Sequence, residues 1–354
     1  MSNIPKTMKA LVVYSKDEYT FEENYPTPRA GEDELILKVE ACGICAGDCK
    51  ATTGAPHFWD HFIKTPFVPG HEIVGTVAEV GEGVTEYKIG DRLVPEQIVP
   101  CNQCSYCESG HYWMCDKQDI FGFKNYLSGG MAEYVKIPKN ANLFKIPNDM
   151  PIEKAAIIEP FSCSKHATDR ANITIEDVVV ISGCGTLGMG MVGIAKLHNP
   201  KTLIVLDLKQ SRLDKALEFG ADYAFNPNDC DVQEEVKKLT GGRGCDIYIE
   251  ATGHPSSVTQ GIAMVRKLGR FIEFGAFAHE TSLDWSIIGD QKELDILGSH
   301  LSPNCFPWVI DWLNKDMIGS EGIVGPILPL KDWAKGFDIA AKGTDGAFKV
   351  VLVP

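Results

Sequence analysis

"DVVVISGCGTLGMGMVGIAK", Asp177–Lys196, sets a β-branched apolar run, Val178 to Ile181, directly ahead of Gly183, Gly185 and Gly188, and a helix-compatible apolar pattern directly behind them. A Gly-x-Gly-x-x-Gly spacing alone marks many ordinary tight turns. With a strand before it and a helix after it, it describes a turn whose backbone can approach a pyrophosphate while the first N–H groups of the helix point at the anion. Leu187 belongs to the same turn. A second strand, "TLIVLD", ends in Asp207, nineteen residues past Gly188, where a carboxylate can accept both ribose hydroxyls. A 2′-phosphate there would be repelled, so the cofactor is read as NAD rather than NADP. Arg212 is placed with the cofactor-binding residues but too far along the chain to reverse that preference.

Outward from this stretch the strand–helix alternation continues. "SRLDKALEFGAD" reads as a helix closed by Gly220, "CDIYIEATG" as a buried strand, "SVTQGIAMVRKLG" as a helix with Gly269 at its end, and "RFIEFGAF" as another strand. Such alternation builds a parallel, doubly wound sheet of the α/β class. The N-terminal part has a different texture. Its short strands, "ELILKVEAC", "EIVGTVAEVG" and "DRLVPEQIV", are broken by Gly and Pro and suit an irregular β-barrel, and "GAFKVVLVP" looks like a strand returning to it. The expected division is a first domain over 1–159, a dinucleotide-binding domain over 160–298 and a return over 299–354. A chain of 354 residues with 44% hydrophobic composition exceeds the size at which one core usually splits.

The N-terminus carries no apolar run of signal-peptide length, and no segment has the roughly 18 consecutive apolar residues of a membrane helix. The expectation is a cytoplasmic protein with reduced thiols. Lys and Arg number 34 against 48 Asp and Glu, a net charge of −14, which argues against nucleic acid and for a small-molecule partner.

In a reducing compartment the run "PCNQCSYCESGHYWMC", Pro100–Cys115, suits a metal better than disulfides. Cys101, Cys104, Cys107 and Cys115 can wrap four thiolates around a tetrahedral ion, the closed all-sulfur shell of structural zinc. A reduced, half-buried cysteine-rich loop is the plainer alternative, and an iron–sulfur cluster is disfavoured by the spacing. Upstream, "CGICAGDCK" (Cys42–Lys50) and "PGHEIVG" (Pro69–Gly75) offer a thiolate, an imidazole and a carboxylate. "IEPFSCSKHA" adds Glu159 in an apolar stretch, and a buried carboxylate wants a cation. Together they make a mixed ligand set that leaves a place for water or substrate.

These residues resemble the zinc-dependent medium-chain dehydrogenases in their polyol, sorbitol-like branch. "CGIC..D", "GHE", the four-cysteine loop, "EP.SC..HA", the Gly-rich turn with its Asp and the terminal "KV" fall in that family's order along the whole chain. "EQIVPC", "FGFK", "IEATGH", "DWSII" and "KELD" look most like bacterial erythritol/L-threitol dehydrogenases. The resemblance implies a GroES-like catalytic domain joined to a Rossmann domain. It also implies a catalytic zinc held by Cys45, His71 and the carboxylates Glu72 and Glu159, with either carboxylate completing the shell. Asp48 would steady a ligand, and Lys349 would lie near the cofactor's pyrophosphate. Relatives form dimers and tetramers, so a homo-oligomer is expected.

The chain departs from the family at the proton relay. Gly47 stands where the family has Ser or Thr, and Lys50 where it has the relay histidine. Either water bridges to Lys50 or Glu159, or Lys50 turns to solvent. His57, Trp59, Phe121 and His300 fall at positions that line the pocket in relatives, and none of the chain's seven arginines lies near them. That disfavours a phosphorylated sugar. The implied activity is oxidation of a small polyol by NAD, with zinc binding the hydroxyl oxygen, in the cleft between the domains. A threonine or aminoalcohol dehydrogenase, and a redox-sensing NAD-binding protein that lost catalysis, are the alternatives.

Overall fold

The computed structural model describes residues 4–54, 59, 63–344 and 346–354. The chain folds as two compact units, one of Met1–Glu159 with Phe306–Lys315 and Ser320–Pro354, the other of Pro160–Cys305 with Asp316–Gly319.

In the first unit, β1 (Thr7–Ser15) and β2 (Glu18–Pro26) form an antiparallel pair. A second sheet contains β3 (Leu35–Gly43), β4 (Glu72–Val80), β5 (Arg92–Pro95), β6 (Tyr134–Ile137), β7 (Leu143–Lys145), β14 (Val324–Pro329) and β15 (Lys349–Val353). Its order is β14-β15-β3-β4-β5-β7, with β6 also on β3. Leu11, Leu37, Ile73, Leu93 and Val135 are fully buried in one core, each contributing about 1.5–3 kcal/mol of burial. Register shifts between Ile36 and Leu37 and between Val39 and Ala41 bend β3. The pairing sets Gly43 opposite Glu72 and Val351 opposite Gly43, so three strands converge where the candidate metal ligands lie.

In the second unit six parallel strands follow the order β10-β9-β8-β11-β12-β13. These are β8 (Val178–Ser182), β9 (Thr202–Leu206), β10 (Tyr223–Phe225), β11 (Cys245–Glu250), β12 (Val265–Glu273) and β13 (Asp295–Gly298). The chain winds outward in opposite directions from β8, so the strand order reverses between β8 and β11, the kind of switch point at which such sheets bind ligands.

Two expectations need correction. The helix of the "SVTQGIAMVRKLG" stretch is Pro255–Met264; Val265 already pairs with Cys245, and Gly269 lies inside β12. There a Cβ would meet Val265 Cγ1 at 2.4 Å and the Asp246 carbonyl at 3.0 Å, so the glycine serves a close strand approach rather than a helix end. The second unit also runs to Cys305, beyond the expected 298. Ser299 continues β13 by donating to the Glu273 carbonyl, and His166 Nδ1 holds the carbonyls of His300 and Leu301 at 3.0 and 3.2 Å. Among the described residues no helix is long and apolar enough to cross a membrane.

Candidate metal centre

Cys45 is the N-cap of the helix Ala46–Thr52. Its sulfur accepts from the Gly47 N–H at 3.4 Å, and Asp48 Oδ2 accepts from the Cys45 N–H at 2.9 Å, a reciprocal capping box. The cap fixes the thiol at the N-terminal end of the helix. Asp48, buried, brings Oδ1 to 3.9 Å from His71 Nδ1, so one side chain braces two candidate ligands. Burial raises the Asp48 carboxyl, against the pull of His71 and the Cys45 N–H.

His71 and Glu72 enter β4 after Gly70, whose φ of +95° suits glycine and whose Cβ would lie 2.5 Å from Cys42 Sγ. The imidazole stacks on Phe123 with centroids 5.7 Å apart. Burial lowers the His71 pKa, but the negative groups around it, Cys45, Asp48 and Glu159, outweigh burial and hold it well above the usual value. Glu72 is buried against Gly43, where an added Cβ would meet Oε2 at 1.9 Å. Only glycine leaves room for the carboxylate.

Lys349, expected near the cofactor's pyrophosphate, is engaged within the first unit. Its buried ammonium donates to Glu72 Oε1 at 2.5 Å and to the Ile44 carbonyl at 3.0 Å, because β15 enters the sheet beside β3 with residue 349 facing β4's first residue. Burial opposes its charge, yet Glu72 and Cys45 keep its pKa raised. Glu159, in the first turn of the helix Ile158–Ala171, is buried and acts electrostatically on both His71 and Lys349.

The donor atoms of Cys45, His71 and Glu72 lie within 4.8 Å of one another. Glu72 Oε2 is buried with no hydrogen-bond partner, and His71 Nδ1, which faces Asp48, has none within hydrogen-bond distance. Buried polar atoms left unpaired are costly, and a thiol, an imidazole and a carboxylate are the donors zinc takes, so the residues fit a zinc ion.

The second cluster is Cys101, Cys104, Cys107 and Cys115, again with sulfurs within 4.8 Å. The short helix Ser105–Glu108 and the 3-10 helix Tyr112–Met114 fold the loop back on itself. Backbone N–H groups of Asp116 and Cys107 draw the Cys104 thiol down to about 6, while burial and the Cys104 sulfur push Cys107 up to about 12. Four crowded sulfurs cannot all ionise without a cation, which suits a closed thiolate shell.

In the second unit Gly183 has φ +98°, and a Cβ on Gly188 would meet the Gly183 carbonyl at 1.8 Å. Gly185 caps the helix Thr186–Leu197 with no side-chain bond. The Leu187 carbonyl accepts from Ser164 Oγ at 2.7 Å. Asp207 accepts from the Cys184 N–H at 2.8 Å and the Lys209 N–H at 2.9 Å, and Arg212 stands 3.7 Å away. The fold thus carries Arg212 to the carboxylate despite its distance along the chain.

Of the pocket candidates, Phe121 is fully buried core, and it is Phe123 of the same "FGFK" that touches His71. Trp59 Nε1 donates to the Ala51 carbonyl at 2.9 Å, and exposed His300 sits in the second unit. His57 lies outside the described residues. Lys50 is half-buried in the last turn of Ala46–Thr52. Gly43 and the Lys349–Glu72 pair escape sequence reasoning, since only strand pairing brings them together.

Two family descriptions match: alcohol dehydrogenase GroES-like domain over residues 31–148 and zinc-binding dehydrogenase over 186–315. The chain is 42% identical, over all of both chains, to the erythritol/L-threitol dehydrogenase of Mycolicibacterium smegmatis. A zinc-binding dehydrogenase of Sinorhizobium meliloti bound to NADP superposes with TM-score 0.90 at 27% identity, covering 99% of this chain and 100% of that one. A short chain alcohol dehydrogenase of E. coli CFT073 complexed with NADH does so with TM-score 0.89 at 29% identity, with the same coverage.

Proposed function

Because the chain belongs to the family of zinc-dependent alcohol and polyol dehydrogenases, we propose that it oxidises a secondary hydroxyl of a small polyol of the erythritol or threitol type to the ketose, with NAD as acceptor. The observation that carries this reading is the Cys45–His71–Glu72 donor cluster in a chain similar from end to end to an erythritol/L-threitol dehydrogenase.

Cys45, His71 and Glu72 would hold the ion, and Glu159, which acts electrostatically on His71, would be the further candidate ligand or would hold a water. Zinc there supplies Lewis-acid polarisation of a hydroxyl, and NAD supplies the hydride acceptor. The capping box and Asp48 keep Cys45 and His71 in place. Phe123 covers one face of His71 and keeps water from it. Lys349 restrains Glu72 through one oxygen, leaving the other for the ion. Cys101, Cys104, Cys107 and Cys115 hold a structural zinc. Gly183, Gly185, Leu187 and Gly188 seat the pyrophosphate, and Asp207 takes the ribose hydroxyls. Arg212 partly offsets the Asp207 charge, which softens discrimination against a 2′-phosphate without abolishing it.

The test is a panel of four- to six-carbon polyols offered with NAD and with NADP. NAD reduction by erythritol or threitol is expected in preference to the longer polyols and to threonine; activity with threonine alone would overturn the substrate reading. Asp207→Ala should erode the preference for NAD by about 2 kcal/mol, the upper range for a hydrogen bond to a charged group. Equal use of NADP by the unaltered enzyme would refute the role given to Asp207.

Proton removal has no hydroxyl at Gly47 to pass through, so Lys50 is assigned the outward end of a water-mediated route. Lys50→Ala should shift the pH–rate profile of the unaltered chain and matter less once Gly47→Ser restores a hydroxyl. A silent Lys50→Ala in both backgrounds removes it from the site.

A further inference from the structure

Tyr112, in the 3-10 helix between Cys107 and Cys115, reaches out of the four-cysteine loop to Glu96, which follows β5 in the barrel. Its hydroxyl stands 3.0 and 3.1 Å from the two carboxylate oxygens. Asn142, just ahead of β7, donates Nδ2 to Glu96 Oε2 at 2.8 Å, and its carbonyl accepts from the Glu96 N–H at 2.9 Å. Glu96 is fully buried. The side chains that face it, Tyr112 from the loop and Asn142 from the barrel, are both neutral donors, and no Lys, Arg or His among the described residues pairs with it. A buried carboxylate with no cation bears the full desolvation of its charge.

We propose that Glu96 is a proton-operated latch: the four-cysteine loop seats on the barrel more tightly when the carboxyl is neutral, and loosens as it ionises. The metal that this loop carries is part of the function proposed above, whereas the latch itself needs only the seating of Tyr112.

The direction follows from linkage. With the loop seated, burial pushes the Glu96 carboxyl up to about 7, against the hydrogen bonds of Asn142 and Tyr112; opened to water, it returns to about 4.5. The seated loop therefore binds the extra proton between those values. Its added stability is complete at low pH and is lost as pH rises through about 7. Thiolate–metal bonds run the other way, since protons compete for sulfur as pH falls. The two effects part company when Glu96 alone is neutralised.

Hydrogen exchange of the full-length enzyme over residues 101–116, corrected for intrinsic exchange and compared at pH 6 and 8, reads the latch directly. The unaltered loop should be about tenfold less protected at pH 8 than at pH 6, the ratio that a group titrating near 7 imposes. Glu96→Gln should flatten this response and hold the loop at pH 8 more firmly than the unaltered enzyme does at pH 6, where the carboxyl of the opened loop is already ionised. Tyr112→Phe should lower protection at both. The same pH response in Glu96→Gln as in the unaltered chain, or unchanged protection in Tyr112→Phe, overturns the latch. Metal analysis of the same samples separates the two readings. A loop without zinc whose pH response still vanishes in Glu96→Gln keeps the latch and removes the structural metal.

Discussion

His71→Ala is expected to lower kcat/KM roughly a thousandfold or more while leaving the melting temperature close to that of the unaltered protein. The size follows from the several kcal/mol that a metal contributes by polarising a substrate oxygen, at 1.36 kcal/mol per tenfold. Its specificity follows from the geometry. His71 is one of three donors within 4.8 Å, and its ring is held by Phe123 and Asp48 rather than holding up the β-sheet core. Zinc content, kcat/KM with a polyol and thermal melting, measured on one preparation, check it. A variant that keeps more than a tenth of the activity would show that the cluster does not bind the ion used in the reaction.

Cys104→Ser should do the opposite, lowering stability and sparing the other centre. The four-cysteine loop has few apolar contacts of its own, since Cys101, Cys104 and Cys107 are only partly buried and the short helix Ser105–Glu108 buries no residue. Its order then depends on the ion. Loss of about 4 kcal/mol would lower Tm by roughly 10 °C in a domain of this size. Metal content should fall from one ion in each of the two clusters to one in the Cys45 cluster alone. An unaltered protein that binds a single zinc, at Cys45, would contradict the assignment of the loop.

The parts of this molecule that are local in sequence are legible there. Gly183, Gly185 and Gly188 can be read because strand, turn and helix follow one another within twenty residues, so periodicity and spacing carry the message. The four-cysteine loop is legible for the same reason. Sites assembled by pairing are not. Gly43, Glu72 and Lys349 meet because β15 lies beside β3 and β3 beside β4, a juxtaposition spanning 277 residues for the Glu72–Lys349 pair. Lys349 therefore reads by resemblance only as a residue near the pyrophosphate, while its pairing makes it the counter-charge of a candidate metal ligand. Arg212 shows the same limit, since a turn of helix brings it to Asp207. The run through Gly269 misleads because Met264–Gly269 has a helix-like apolar spacing, whereas the β-branched Val265 is already taken up by pairing with Cys245. Glu96 gives no signal at all, because burial decides its chemistry.

The most direct measurement is the initial rate of NAD reduction by erythritol or threitol, taken on the enzyme as purified, after its zinc is withdrawn by a chelator, and after zinc is returned. The rate should fall in step with loss of the ion from the Cys45–His71–Glu72 cluster and recover with its return, and His71→Ala should show no recovery. Full hydride transfer by the zinc-free enzyme would contradict a metal-held substrate oxygen, and with it the function proposed for this chain.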